Sequence, residues 1–105
     1  IASDGSLSHR RVWAETGDPE SGDPDGIALD ASGSLWVALG HKDSVIRIAP
    51  DGQHTARVRL REGWTAVSCA VGGSDGNTLF ITSAKFEGRK TTARLESIRV
   101  DNAGV

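Results

Sequence analysis

Residues 24–38 read PDGIALDASGSLWVA, and about 44 residues later a related stretch, residues 68–82, reads SCAVGGSDGNTLFIT. Each stretch begins with a short apolar strand, continues through a polar turn that contains glycine, and ends with a second strand that carries an aromatic residue. Leu35-Trp36-Val37 in the first matches Leu79-Phe80-Ile81 in the second. A repeat of roughly 40–50 residues built from short strands is typical of β-propeller blades. The repeat therefore predicts an all-β chain.

Two further strands follow from the alternation of side chains. Residues 44–50 alternate Ile46 and Ile48 with other residue types, and residues 54–61 alternate apolar side chains with arginine. A period of two is the pattern of a pleated strand. With the two strands of the first repeat, these segments predict a complete four-stranded antiparallel blade over residues 24–61.

The rest of the chain divides on either side of this blade. Residues 65–105 contain signals for three strands, which predicts a last blade that lacks its outer strand. Residues 1–15 include LSHRRVWAE, an amphipathic stretch that predicts the trailing outer strand of a preceding blade. We therefore expect about two blades of a larger propeller.

Composition excludes several classes of function. The chain has 12 basic and 14 acidic residues and a formal net charge of −2, without the basic footprint of a nucleic-acid-binding protein. No apolar run is long enough to span a membrane, and residues 1–5 have neither the basic segment nor the apolar core of a secretory signal, so none is expected. Cys69 is the only cysteine, so no intrachain disulfide forms, which fits a reducing compartment and predicts a cytoplasmic location.

Two blades of a propeller leave apolar sheet faces uncovered. If about six aliphatic side chains lose their burial, the loss is on the order of 10 kcal/mol, as large as the stability of an ordinary domain. The chain also contains no Met and opens within a predicted strand, which favours a fragment cut inside a blade over a processed N-terminus. We expect association with itself or with a complementary chain.

Chemistry is expected at one end of the blades. Because successive antiparallel strands reverse direction, alternate connections share a rim. The longer and chemically richer loops fall together on one rim: residues 16–23 with Asp25, 40–43, 61–65 and 85–92. The tight turns fall on the other: residues 32–34, 51–53 and 74–77.

The order of the motifs resembles a known family. PDGIALD at residues 24–30, followed by SCAVGG at 68–73 and TLFITSA at 78–84, resembles the C-terminal part of the gluconolactonase/regucalcin (senescence-marker-protein-like) family. RLESIRVD at residues 94–101 resembles the last strand of that family. The resemblance covers essentially the whole chain, but only the C-terminal part of a typical member.

The resemblance implies a six-bladed propeller with a divalent metal ion, most often Ca²⁺, in its central channel. Members mostly hydrolyse lactones, which are small-molecule substrates, and relatives act on organophosphates. The family's metal is held by a Glu, two Asn and an Asp from different blades. Only the Asp has a counterpart in this chain, and it is Asp25. The metal site is therefore expected to be incomplete within the chain.

Asp25 is the residue expected to carry both the catalytic and the metal-binding role. Hard divalent cations prefer oxygen ligands, and in a complete member this carboxylate would anchor the ion and either position water, activate it or act as nucleophile. The alternative is an ordinary Pro-Asp-Gly turn, in which Asp is favoured by local hydrogen bonds. A single carboxylate does not hold Ca²⁺, which takes six to eight oxygens.

Three other residues are candidates for the substrate rim. His41 shares the predicted rim with Asp25, Trp64 precedes the last blade, and Lys85 begins a small basic insert that suits an anionic substrate. The alternatives are a plain loop residue for His41 and a solvated side chain for Lys85. Trp36 is expected in the core, and Cys69 is expected to be a buried packing residue.

Two functions from different classes follow. The first is a fragment of a divalent-metal-dependent lactone hydrolase whose site is completed by missing blades, so that the isolated chain is inactive. The second is a non-catalytic interaction module that binds a partner chain through its open sheet edges.

Overall fold

The computed structural model describes residues 3–15, 22–40 and 42–100, and these form seven strands without a helix. The strands are β1 (Asp23–Leu29), β2 (Leu35–Gly40), β3 (Ser44–Ile48), β4 (His54–Arg59), β5 (Thr65–Gly72), β6 (Thr78–Glu87) and β7 (Lys90–Arg99). They make a four-stranded antiparallel sheet in the order β1-β2-β3-β4 and a three-stranded antiparallel sheet in the order β5-β6-β7. In the described ranges, no helix is long and apolar enough to cross a membrane.

The two sheets pack face to face through their inner strands, with β1 and β2 against β5. Between them lies one apolar cluster, which includes Trp36, Ala38 and Val45 of the first sheet and Cys69 and Ile81 of the second. Because side chains alternate along β2, its other residues, such as Val37 and Leu39, form a second cluster on the opposite face. The first sheet is thus covered on both sides, as a blade is within a propeller.

The turn between β1 and β2 is built around the buried carboxylate of Asp30. Its Oδ1 accepts hydrogen bonds from the backbone N–H groups of Ser32, at 3.0 Å, and Ser34, at 3.1 Å. Its Oδ2 accepts from Trp36 Nε1 at 3.2 Å and pairs with Arg47 Nε at 2.9 Å. One side chain therefore ties the turn to β2 and β3.

The all-β class and the two-sheet arrangement of a partial propeller are confirmed. The strands of the first sheet and the three strands of the second follow the predicted order. The predicted limits of the blades, residues 24–61 and 65–105, stay a prediction, and residues 101–105 lie outside the described part of the chain.

The strand expected within residues 1–15 is not formed by the described residues of that segment. Residues 6–15 carry no strand and pair with neither sheet. A strand needs a neighbour that completes its hydrogen bonds, and the described residues offer this segment none, so its assignment to the outer strand of a preceding blade stays a prediction. The segment is held by side chains instead: Trp13 Nε1 donates to the carbonyl of Ala49 at 3.1 Å, and Arg11 Nη2 donates to the carbonyl of Pro50 at 3.2 Å.

Candidate functional site

Asp25 lies on a β-bulge in the innermost strand of the first sheet. Pro24 pairs with Leu39 and Ile27 pairs with Val37, so β1 advances by one residue more than β2 across this interval. A bulge bends the strand and redirects its side chains, and bulges are frequent next to active sites. The side chain of Asp25 is exposed at this point. The fold therefore presents a carboxylate to solvent at the entry of β1.

The second sheet has a bulge at the corresponding place in its own inner strand. Ala66 pairs with Ser83 and Ser68 pairs with Thr82, which leaves Val67 as the extra residue of β5. Val67 is 36% exposed. The two inner strands thus share one irregularity, although only the first sheet places a carboxylate there.

Gly26 allows the two bulges to meet. A Cβ built on Gly26 would contact the side chain of Ser68 and lie 2.7 Å from its Cα, which real Cβ atoms do not tolerate. Glycine is therefore required here because the backbone of β5 passes directly over it. The contact locks the backbone that follows Asp25 against the second sheet.

Part of the predicted rim lies close to Asp25 and to the start of β5. A Cβ built on Gly40 would lie 3.7 Å from Oδ2 of Asp25, so the end of β2 adjoins this carboxylate. The carbonyl of Lys42 accepts a hydrogen bond from Ala66 N at 3.1 Å, which ties the loop between β2 and β3 to the start of β5. These segments come together at one end of the sheets, as alternate connections should.

The candidate rim residues differ in what the structure shows of them. His41 lies outside the described residues. Trp64 belongs to the cluster between the sheets and is 9% exposed, with the guanidinium carbon of Arg94 3.8 Å from its ring centre. Lys85 is half-buried in β6, and its Cε would lie 3.6 Å from a Cβ built on Gly63. The substrate contacts assigned to these three residues stay a prediction.

Cys69 is a packing residue, as its sequence context indicated. It lies in the cluster between the sheets, and its Sγ is 3.4 Å from the carbonyl oxygen of Trp36. Burial raises the pKa of the Cys69 thiol to about 11, although a backbone hydrogen bond from Ala38 opposes this. At neutral pH the side chain is a thiol rather than a thiolate, which makes it a poor nucleophile.

The described residues do not place a set of metal ligands around the carboxylate of Asp25. Across residues 3–15, 22–40 and 42–100, no group of three or more His, Cys, Asp or Glu side chains is arranged to hold a metal. Asp18 and Glu20, in the acidic stretch near Asp25, lie outside the described residues.

A family model described as the SMP-30/Gluconolactonase/LRE-like region matches residues 1–85. The chain belongs to this family. It is 37% identical over 82 residues to a 6-deoxy-6-sulfogluconolactonase from Pseudomonas putida, a match over 78% of the chain and 28% of that relative. It is 40% identical over 81 residues to regucalcin from Danio rerio, over 76% of the chain and 27% of the relative. The chain thus spans little more than a quarter of these curated relatives.

Two solved structures show the same fold. A luciferin-regenerating enzyme superposes with a TM-score of 0.76 at 24% identity, over 97% of the chain and 36% of that structure, and at this identity it supports the fold alone. A calcium-binding protein, regucalcin from Agrobacterium tumefaciens, superposes with a TM-score of 0.63 at 28% identity, over 76% of the chain and 26% of that structure. Both likenesses cover only part of the other protein, as expected for a partial propeller.

The network of Asp30 was not expected from the sequence. Asp30 and Ser32 have the spacing of an Asx turn, which is a signal for local hydrogen bonds but not for an ion pair. Arg47 lies on a different strand, and only the pairing of Trp36 with Arg47 across β2 and β3 brings it to Asp30. The arrangement supports the fold and lies at the rim opposite to Asp25.

Proposed function

We propose that this chain is part of a divalent-metal-dependent lactone hydrolase in which Asp25 supplies a carboxylate to the metal and to the reacting water. The observation that carries the proposal is the exposed Asp25 on the bulge of the innermost strand, held against the second sheet at Gly26. Family membership supports it, since the Pseudomonas putida relative is named as a lactonase and the Agrobacterium tumefaciens structure as a calcium-binding protein.

The described residues include a suitable type of metal ligand, but too few such ligands to form a site. A carboxylate is a suitable ligand for Ca²⁺, but the ion takes six to eight oxygens. The described residues offer no cluster of ligating side chains around Asp25. The described residues by themselves therefore do not supply a full set of ligands, and the proposal requires further ligands from other blades.

Asp25 makes its own contribution to hydrolysis at the rim. Its carboxylate accepts hydrogen bonds from water, which orients a water molecule toward a lactone carbonyl. Attack of that water and cleavage of the ring ester bond produce a hydroxy acid. Because the contact of Gly26 with Ser68 fixes the backbone next to Asp25, the acceptor does not have to be ordered during the reaction.

The test uses a chimeric protein in which this chain replaces the matching part of a full-length relative. In a chimera of the Pseudomonas putida 6-deoxy-6-sulfogluconolactonase, this chain replaces the matching segment, and hydrolysis of that enzyme's lactone is followed with and without Ca²⁺. We expect activity that Asp25→Asn lowers by at least roughly 100-fold, because a ligand matters more than the outer-shell partners that cost 10–100-fold.

Asp23→Asn is the matched control. Asp23 lies on the same strand, is exposed, and carries the same charge. We expect the Asp23→Asn chimera to stay within about threefold of the unsubstituted chimera, since the proposal assigns Asp23 no contact with the ion and the loss of one exposed charge has a small effect. Equal activity of the Asp25→Asn and Asp23→Asn chimeras, both folded by circular dichroism, would contradict the role of Asp25.

A further inference from the structure

Ser68 lies where a side chain at position 26 would be if that residue were not glycine. A Cβ built on Gly26 would lie 2.7 Å from both the Cα and the Cβ of Ser68, and it would meet the hydroxyl oxygen as well. The Sγ of Cys69, the next residue of β5, is 4.0 Å from the carbonyl oxygen of Gly26. Two consecutive residues of β5 are therefore packed against the residue that follows Asp25.

The carboxylate of Asp25 lies on the side of the first sheet that faces the second sheet. Side chains alternate along β2, and Trp36 and Ala38 point into the cluster between the sheets. Gly40 continues this alternation on the same side, and a Cβ built on it would lie 3.7 Å from Oδ2 of Asp25. Asp25 and Ser68 therefore border one space, where the inner strands of the two sheets meet.

The bulge in β5 explains how a strand residue reaches this position. Ala66 and Cys69 are three residues apart, and regular alternation would place them on opposite faces of the sheet. Both nevertheless pack in the cluster between the sheets, because Val67 is an extra residue in the register. The same shift carries Ser68 over Gly26, so the irregularities of the two inner strands meet at one place.

The hydroxyl of Ser68 has no hydrogen-bond partner within the part of the chain that the structure describes. Its backbone carbonyl accepts a hydrogen bond from Thr82 Oγ1 at 3.5 Å, but its Oγ takes part in none, and none joins it to Asp25. The side chain is half-buried. Because a hydroxyl both donates and accepts, this one offers its full capacity to a small molecule beside Asp25.

We propose that Ser68 is a second catalytic residue, which with Asp25 holds the attacking water; this inference rests on the proposed lactone hydrolysis. The water donates one O–H to the carboxylate of Asp25 and the other to Ser68 Oγ. Both of its protons then face the protein, so a lone pair of the water oxygen faces the lactone carbonyl carbon. One water spans two oxygens up to about 5.6 Å apart, because each hydrogen bond is about 2.8 Å long.

The hydrolysis step needs no reactant besides water and the lactone. The water oxygen bonds to the carbonyl carbon, its proton on the Asp25 side passes to the carboxylate, and the ring C–O bond then breaks. The departing alkoxide takes up this proton, which leaves a hydroxy acid and an ionised Asp25. Ser68 neither gains nor loses a proton in this step. Its hydroxyl oxygen accepts the second O–H and fixes the orientation of the water.

The experiment compares Ser68→Ala and Ser68→Cys in the chimera that tests Asp25. Alanine removes the hydroxyl, whereas cysteine keeps a similar shape against Gly26 and offers only a weak acceptor. We expect kcat to fall roughly 10- to 100-fold in both variants, the size of one lost hydrogen bond in a charged site. KM should stay within about threefold, because the lost contact is with water rather than with the lactone.

Ser74→Ala is the matched control. Ser74 is an exposed serine in the turn at the opposite end of the same sheet, so this variant should keep the kcat of the unsubstituted chimera. Circular dichroism shows whether each variant is folded. Full activity of Ser68→Ala, or full activity of Ser68→Cys beside an inactive Ser68→Ala, would show that the residue only fills space.

A crystal structure of the chimera makes the test independent of activity. We expect an ordered water within about 2.5–3.2 Å of both Ser68 Oγ and a carboxylate oxygen of Asp25, and its loss in Ser68→Ala. A chimera without this water, or a water that stays in place in Ser68→Ala, would overturn the role of Ser68. A chimera that is inactive without any substitution would contradict the proposed function, and the bridging water would still test Ser68.

Discussion

The turn that follows β1 and the turn that follows β5 stand at the same place in the two repeats, yet they use aspartate differently. Asp30 has a side chain that is fully buried and pairs with Arg47, whose side chain is 16% exposed. Asp75 has a side chain that is 39% exposed and pairs with Arg99, 67% exposed, at 2.7 Å. Asp75 Oδ1 also accepts from the backbone N–H of Asn77 at 2.9 Å. One carboxylate is part of the core, and the other is part of the surface.

The neighbouring strands explain the difference. In the first sheet Trp36 and Arg47 face each other across β2 and β3, and both present N–H donors to the turn. In the second sheet the corresponding pair across β6 and β7 is Phe80 and Ser97. Phenylalanine has no hydrogen-bond donor and Ser97 is exposed, so this pair presents no buried donor that requires a carboxylate. A buried carboxylate is therefore found where buried N–H donors require an acceptor.

The largest expected effect is that of Asp30→Ala. The substitution removes the acceptor of two backbone N–H groups, of Trp36 Nε1 and of Arg47 Nε. Breaking a buried ion pair by deleting one partner costs about 3–5 kcal/mol, which is a large part of the stability of a domain. Urea unfolding followed by tryptophan fluorescence measures the loss.

Asp75→Ala is the counterpart of Asp30→Ala in the second sheet. Because its ion pair is exposed, its urea midpoint should be hard to distinguish from that of wild type. If the two alanine variants lost equal stability, the contrast between a core carboxylate and a surface carboxylate would be wrong.

An intermediate effect is expected for Gly26→Ala, which tests the contact that joins the two sheets at their bulges. The new methyl group meets the backbone of Ser68, and overpacking of this kind costs about 1–3 kcal/mol. Gly40→Ala is the control, because its nearest neighbours would be at an ordinary 3.5–3.7 Å. That variant should stay within about 0.5 kcal/mol of wild type in the same urea experiment. A neutral Gly26→Ala would show that β5 does not press on β1.

The smallest expected effect is the contribution of Asp30 to the pH dependence of the free energy of unfolding. Burial acts to raise the pKa of Asp30, but hydrogen bonds from Ser32, Arg47 and Ser34 and the charge of Arg47 outweigh it, so the pKa lies below its usual value of 3.8. A lowered folded pKa means that the ionised carboxylate stabilises the fold above that usual value and loses this contribution as the pH falls through the folded pKa.

The measurement is the free energy of unfolding from pH 7 down to about pH 2.5. Wild type should lose stability below about pH 4, and Asp30→Asn should lose less over the same interval. Part of the decline should remain in the variant, because hydrogen bonds from Ser6 to Asp4 and from Asn77 to Asp75 lower the pKa of those residues as well. An identical decline in both proteins would show that ionisation of Asp30 does not contribute to the loss of stability in acid.

Much of the fold could be predicted because its determinants are local. Alternation with period two and glycine at the turns placed the strands of both sheets in their observed order. Residues 7–15 have the composition of a strand, but no strand of the described residues pairs with them, and they form no strand there. Composition indicates a preference for extended backbone, whereas pairing depends on what lies beside it.

The candidate site could be predicted only in part. The rim followed from the order of the strands, whereas the choice of Asp25 rested on the resemblance to the family, and its role stays a prediction. Trp64 lies under Arg94 in the core, a placement that its loop position did not indicate. The bulges of β1 and β5 also carried no sequence signal beyond Gly26, because a register shift is a property of two strands together.

The amino-acid sequence alone determined the elements: which segments extend, where they turn, and that carboxylates lie at the entry of β1. Tertiary structure decided which side chains became partners. Arg47 reaches Asp30 and Gly26 passes under Ser68, both through contacts between residues far apart along the chain. The physical reason is that backbone preference acts within a few residues, whereas burial, charge pairing and close approach depend on surfaces that exist only once the sheets have packed.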